Sequence, residues 1–566
     1  MRASSRFAAG LALAGAFLTG VDAAIQTVTR NGRYLYTADG NRFYIKGVAY
    51  QEQGKDISVR WSRAQAIPFL SHPLSSIDPL ANGTACTRDL PYLQQLGVNT
   101  IRAYSVNSSL NHDSCMQTFS NAGIYTIIDL SLPGNGSMDR DAPTWTTNLL
   151  DLYIETIDVF SKYNNVLAYN VGNEVVIAAN GTAAATFVKA AARDVKAYIN
   201  SISSSALVGY ASIDGDATWL DPLANYLSCD PSGSNSGATA LDLFGLNNYE
   251  WCGNSTFEAS YAGVEGQFAG YNVAAYFSEY GCITSPPRVW TEVAALFSSQ
   301  MSPVWSGGVA FSYFPATSAQ GQFGMVTISP DGSTVTTSSD FTNLQTQYAA
   351  ASPPNSPSQS GAGTATYPSC PQQNSSWLAS NTLPPTPNFS ACQCLENNLS
   401  CQFTPSTSNY TAIVGALLDY ACSLIGQSGG SCSAISSNGT TGQYGAVSEC
   451  DPTIMLSYVM SDYYIANGAN AQSCSFGGNG TVNSKAPSSA SAANTAASSC
   501  LASASGTSVP TLPAGAPGPS GSSSSSGGGS GSSPNAASVV LADARTLMGM
   551  GVLVAAGIAS GLWTIA

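Results

Sequence analysis

Between Tyr44 and Phe311 a short apolar run recurs eight times, at Tyr44–Val48, Thr100–Ala103, Tyr125–Asp129, Leu167–Gly172, Leu207–Tyr210, Leu243–Leu246, Ala274–Ser278 and Gly308–Phe311. Runs this short and this uniformly apolar read as strands buried on both faces, as in a parallel sheet covered by helices. Helix-like stretches separate several of them, among them Asp89–Leu96, Leu149–Tyr163 and Ala183–Ser201. Strand and helix alternating over ~250 residues or more predicts an α/β fold of the (β/α)8 TIM-barrel type in preference to an open doubly wound sheet. Periodicity alone does not separate the two.

Outside that stretch the composition changes in steps. Residues 1–24 carry Arg2 and Arg6, an apolar run from Phe7 to Val21 and small residues at Ala23 and Ala24. That pattern predicts a cleaved secretory signal, since the run is shorter than the ~20 residues a spanning helix requires. A barrel domain is expected over 25–349, a Pro/Ser/Gly linker over 350–368 and a small cysteine-rich module over 369–500. A Ser/Gly-rich stalk follows over 501–535. The apolar tail Leu547–Ala566 comes after Asn535, Ala536, Ala537 and a short spacer, which is the signal for a glycosylphosphatidylinositol anchor at Asn535, with 536–566 removed. A retained membrane helix would normally be followed by Lys or Arg, and this tail has none.

Both addresses imply an oxidising compartment, so the 14 cysteines are expected to be disulfide-bonded. None sits in a Cys/His pattern with zinc spacing, and His72 and His112 are the only histidines, so no metal or organic cofactor is expected. Sequons such as Asn82, Asn254 and Asn409 fit a glycosylated secreted chain. Charged residues make up 9% of the chain and the net charge is −14, with no basic cluster to attract nucleic acid or an anionic lipid surface. A neutral, hydroxyl-rich polymer is the more compatible partner.

Polar residues just past a barrel strand's C-terminal end point into the active site. The fourth run ends in Val171-Gly172-Asn173-Glu174 and the seventh in Ser278-Glu279-Tyr280-Gly281. Either glutamate alone could be a solvated strand end. Together they fit a retaining glycosidase, in which one carboxylic acid protonates the leaving oxygen and a carboxylate ~5–5.5 Å away attacks the anomeric carbon. Asn173 is placed to hydrogen-bond the sugar 2-hydroxyl. Burial and mutual repulsion are expected to keep Glu174 protonated while Glu279 stays ionised.

The stretches Phe43–Gln51 (FYIKGVAYQ), Asn99–Val106 (NTIRAYSV), Val171–Glu174 (VGNE), Asn248–Gly253 (NYEWCG), Ser278–Cys282 (SEYGC) and Val304–Gly308 (VWSGG) resemble the fungal β-1,3-glucanosyltransferases, family 72 of the glycoside hydrolases. The resemblance covers almost all of the first domain. It implies an enzyme that cleaves β-1,3-glucan internally and passes the new reducing end to the non-reducing end of an acceptor glucan. It assigns the acid/base to Glu174 and the nucleophile to Glu279. Glucan contacts are implied for Tyr104, the loop from Ser131 through Asp139 and Arg140, Asn173, Asp214 or Asp216, and Tyr249. Two departures stand out: Asp216-Ala217-Thr218-Trp219-Leu220 lacks the family's arginine, and Phe311 stands where the family has tyrosine, a loss for which Tyr313 is the candidate replacement.

The cysteine-rich segment resembles carbohydrate-binding module family 43, through Cys392-Gln393-Cys394, Cys432–Cys450, Leu456-Ser457-Tyr458 and Cys474-Ser475-Phe476. Its Tyr444, Tyr458, Tyr463 and Tyr464 either stack on sugar rings or fill a small core. The two resemblances imply the pairs Cys86–Cys115, Cys229–Cys370, Cys252–Cys282, Cys392–Cys450, Cys394–Cys500, Cys401–Cys474 and Cys422–Cys432. Nothing in the residues themselves separates transfer from hydrolysis, so a plain endo-β-1,3-glucanase remains an alternative. A non-catalytic glucan-binding wall protein is another, disfavoured by two intact glutamates.

Overall fold

All eight apolar runs become strands, and they close on one another in chain order. β1 (Ile45–Ala49), β2 (Thr100–Ala103), β3 (Tyr125–Asp129), β4 (Val166–Asn173), β5 (Leu207–Ile213), β6 (Leu243–Asn247), β7 (Ala274–Tyr280) and β8 (Trp305–Ala310) form a closed parallel barrel in which β8 pairs with both β7 and β1. The open doubly wound alternative is thereby excluded. The structure is a computed structural model describing residues 25–52, 77–131, 138–318, 320–407, 409–487, 489–502 and 510. The secretory signal of 1–24, His72, residues 132–137 of the site loop, most of the stalk, Asn535 and the tail 536–566 lie outside the described residues.

The pleat explains how such short runs fill two cores. On β3, Tyr125 and Ile127 point into the barrel with Ile45, Leu167, Leu207, Leu243, Tyr276 and Val309. Ile128 faces outward into the layer shared with the helices. The final strand begins at Trp305 rather than at the expected Gly308, although Ser306 and Gly307 have poor strand propensity. Gly307 has φ 87°, and a Cβ there would lie 2.3 Å from the Ile45 carbonyl oxygen, so only glycine lets β8 close against β1. The first barrel helix also starts early, at Gly83, since the Asn82 side chain accepts a hydrogen bond from the Ala85 amide and caps it.

The expected linker is a strap. Its carbonyls at Pro354, Ser356, Pro357 and Gln359 accept hydrogen bonds from Tyr44, Arg42, Tyr36 and Asn31 at the N-terminal end of the barrel. A Pro-rich segment cannot pair with itself, so barrel side chains satisfy its carbonyls. Cys229–Cys370 then ties the chain to the barrel, and the buried Trp377 joins the barrel's outer core.

The cysteine-rich segment folds as a small helical unit around Phe389–Asn398, Thr411–Gln427, Pro452–Ala466 and Ala490–Ala502. Disulfides Cys392–Cys450, Cys394–Cys500, Cys401–Cys474 and Cys422–Cys432 staple its two modest apolar clusters. It docks on the barrel through Thr147 N–H to the Glu449 carbonyl (2.8 Å), Thr186 Oγ1 to the Gly439 carbonyl (3.0 Å) and Thr386 Oγ1 to Asp194 (2.7 Å). Among the described residues no helix is long and apolar enough to cross a membrane.

Candidate active site

Glu174 follows β4 and Glu279 lies on β7, and both are buried at the C-terminal mouth of the barrel. A register shift between Asn170 and Asn173 against β5 ends β4 irregularly, and Glu174 adopts φ 50°, a left-handed conformation unusual for a side-chain-bearing residue. Its amide bonds the Ala211 carbonyl at 2.8 Å, which holds that turn against β5. A second shift, between Leu246 and Asn247, places Asn247 opposite Glu279.

Arg102, not among the anticipated site residues, lies at the centre of the site. Its guanidinium is fully buried and reaches Asp129 Oδ2 (2.7 Å), Asn173 Oδ1 (2.9 Å), the Ser278 carbonyl (3.1 Å) and Glu279 Oε1 (3.4 Å). Burial disfavours its charge, but the facing Asp129 carboxylate holds the proton more firmly still. Asn170 Nδ2 donates to Asp129 at 2.7 Å and fixes that carboxylate. Asn247, likewise not anticipated, donates to Glu174 Oε1 at 2.8 Å. The available sequence signals were slight: an arginine inside the apolar run Thr100–Ala103, and an asparagine directly after Leu243–Leu246.

Among the expected contacts, Tyr249 donates its hydroxyl to Glu279 Oε2 at 2.7 Å, and the Tyr104 ring covers the Arg102 guanidinium at 4.2 Å. Asn173 turns its oxygen inward to Arg102 and Asn247, so its NH2 is the group left to face the cleft. Ser131 is buried at the end of β3, and Arg140 Nε donates to the Glu174 carbonyl at 2.9 Å. Asp139 is exposed and accepts from the Asp141 amide. Phe311 stands edge-on to Tyr104 and to Phe323, beside the pair.

Two expected contacts lie elsewhere. Asp216 is exposed and serves as N-cap of the helix Ala217–Ser228, accepting from the Thr218 amide, whereas Asp214 is the acid held at the rim by Asn248 Nδ2 (2.9 Å). Tyr313 is fully buried behind the barrel wall and donates to Asp89 at 3.2 Å, so its hydroxyl does not replace the one Phe311 lacks. Trp219, in the stretch Asp216–Leu220, packs over Gly215, where a Cβ would meet the indole at 2.0 Å. In the module, Tyr444 packs on Phe187 of the barrel and Tyr458 belongs to the core, while Tyr463 stands edge-on to Phe476 and Tyr464 is half-buried.

Burial raises both carboxyls from their ordinary value. Glu279 is pushed up to about 7, burial contributing most and the Glu174 charge adding to it, against the pull of Arg102, Tyr249 and Tyr104. Burial likewise raises Glu174, opposed by Asn247, Arg140 and Arg102. Two like charges this enclosed cannot both ionise freely, so the pair holds a proton into the neutral range. The Arg102 guanidinium and the Tyr249 hydroxyl turned toward Glu279 favour placing the shared proton on Glu174. The chemistry open to this arrangement is double displacement at an acetal carbon.

Disulfides Cys86–Cys115 and Cys252–Cys282 pin the chain around the site, the second joining the loop after β6 to the end of β7. Among the described residues no group of three or more His, Cys, Asp or Glu side chains could hold a metal ion.

A family model described as glucanosyltransferase matches residues 18–352, and an X8 domain matches 399–481. The 1,3-beta-glucanosyltransferase gas1 of Schizosaccharomyces pombe is 41% identical over 83% of this chain and 82% of its own length. The pH-responsive protein 2 of Candida albicans is 37% identical over 84% of this chain and 82% of its own. A structure of Saccharomyces cerevisiae Gas2p in complex with laminaritriose and laminaritetraose superposes with a TM-score of 0.71 at 35% identity, covering 81% of this chain and 98% of that one.

Proposed function

This chain belongs to the glucanosyltransferase family, and from that membership we propose that it cleaves β-1,3-glucan internally and transfers the new reducing end to the non-reducing end of another β-1,3-glucan. The observation that carries the reading is the pair of buried glutamates at the ends of β4 and β7 within one hydrogen-bonded network. Glu279 attacks the anomeric carbon as a carboxylate, and Glu174 delivers its proton to the departing glycosidic oxygen, so the reducing-side fragment leaves as an alcohol. The glycosyl ester on Glu279 then reacts with an acceptor hydroxyl, whose proton returns to Glu174, and the β configuration is retained. Arg102 and Tyr249 stabilise the Glu279 carboxylate before attack and after release.

The X8 unit is read as a glucan-binding module. The signal of 1–24, the anchor at Asn535 and the discarded tail 536–566 are read as delivering the enzyme to the cell surface. The test is to incubate the pure protein with a laminari-oligosaccharide of defined length and size the products. Chains longer than the donor establish transfer. Only shorter chains would leave a hydrolase, and an unchanged donor would leave a binding protein.

A further inference from the structure

Asn247 ends β6 with its side chain almost fully buried (2% exposed), and its carboxamide is held from three directions. Its Oδ1 accepts from Ser278 Oγ at 2.7 Å, while its Nδ2 donates to Glu174 Oε1 at 2.8 Å and to Asn173 Oδ1 at 3.2 Å. An amide's two ends are distinguished only by their partners, and here the partners decide. Arg102 is donor-only and permanently charged, so the Asn173 atom 2.9 Å from its Nη2 must be the oxygen. That oxygen can only accept, so the Asn247 atom facing it must be nitrogen. The same nitrogen then offers an N–H to Glu174 Oε1 whatever the protonation state of the pair.

A second feature shows that the arrangement is built for this. A Cβ on Gly245, two residues back on β6, would lie 2.6 Å from Ser278 Cβ and 2.7 Å from its Oγ. Only glycine there leaves room for the hydroxyl that locks Asn247.

We propose that Asn247, locked by Ser278, is a positioning residue that keeps Glu174 Oε1 as a hydrogen-bond acceptor and so assigns the acid proton to Oε2, the oxygen left to meet the glycosidic bond. A carboxylic acid accepts best at its unprotonated oxygen, so a fixed N–H at Oε1 disfavours the tautomer with the proton buried there. The charged and titratable groups facing Glu174 are Arg102, Arg140, Glu279, Tyr249 and Tyr210, and none of them donates to Oε1 in place of Asn247. This inference rests on the reading of Glu174 as acid/base.

The test compares two donors, a laminari-oligosaccharide, which requires acid assistance, and a laminaribiosyl fluoride, whose departing fluoride requires little. In Asn247→Ala, kcat on the oligosaccharide should fall about 10–100-fold with KM changed less than threefold, because general-acid catalysis is worth about 10²–10⁴-fold and only its alignment is lost. The burst of fluoride release should stay within about twofold of wild type. The alkaline limb of the kcat profile should move to higher pH, since the lost N–H favoured the ionised form. Ser278→Ala, a milder change that keeps β6 and β7 intact, should show the same split at about 3–10-fold. Equal loss on both donors, or no loss on either, in folded Ser278→Ala and Asn247→Ala overturns the proposal. Failure of the underlying reading would look different: Glu174→Gln would then cleave the oligosaccharide as wild type does.

Discussion

Glu449 gives the sharpest test of how the module is held to the barrel. Its carbonyl accepts from the Thr147 amide across the seam, yet both oxygens of its buried carboxyl find no hydrogen-bond partner among the described residues. Burial pushes this carboxyl from its ordinary 4.5 up to about 7, with the Asp194 charge adding to the rise and Arg193 opposing it. A group raised on folding binds more protons in the folded state, so stability falls as pH climbs from about 4.5 through about 7 and stays lower above it. At ~1.4 kcal/mol per unit the full loss is about 3.5 kcal/mol, and water at the rim of the seam reduces it to about 1–3 kcal/mol. Glu449→Gln keeps the shape and removes the charge. The assay is thermal unfolding of both proteins between pH 4 and pH 8. At about pH 4 the two should melt together, and at pH 8 the variant should melt higher by roughly 1–3 °C, a small shift because the domain is large. A difference independent of pH, or a variant that melts lower at pH 8, would refute the reasoning.

The other expectations concern the barrel. Glu279→Gln should form no glycosyl-enzyme on any β-1,3-glucan, whereas Glu174→Gln should fail on glucan yet release fluoride from an activated donor. Azide should rescue the latter with retained configuration, as product analysis by NMR would show. Arg102→Met strands Asp129 as an unpaired buried charge and should lower stability by about 3–5 kcal/mol in a denaturant titration, as well as abolishing transfer. Asp214→Asn should change the kinetics with glucan, while Asp216→Ala should leave them at wild-type values and only lower the melting temperature, since Asp216 caps a helix. Tyr313→Phe should also leave transfer unchanged, because its hydroxyl is spent on Asp89.

The eight runs were legible because burial on both faces of a parallel strand imposes a local composition, and composition is what a sequence displays. The same reasoning singled out Glu174 and Glu279, two charged residues placed directly after such runs in a chain with few charges. Their surroundings were not legible. Arg102 touches Asp129, Asn173 and Glu279, and Asn247 touches Glu174 and Ser278, contacts that span 27 to 177 residues and exist only once the barrel closes. Residues 350–368 had the composition of a free linker, and only the tertiary structure supplied the tyrosine and arginine donors that make them a strap. Asp214 and Asp216 are equivalent as sequence, two residues apart, but the helix Ala217–Ser228 begins directly after Asp216, which makes that residue its cap and leaves Asp214 at the rim. Periodicity and strand-end position are local properties of the chain. Which carboxyl keeps a proton, and which polar group supports it, depends on distances between segments remote in sequence, and those are set by closure of the barrel.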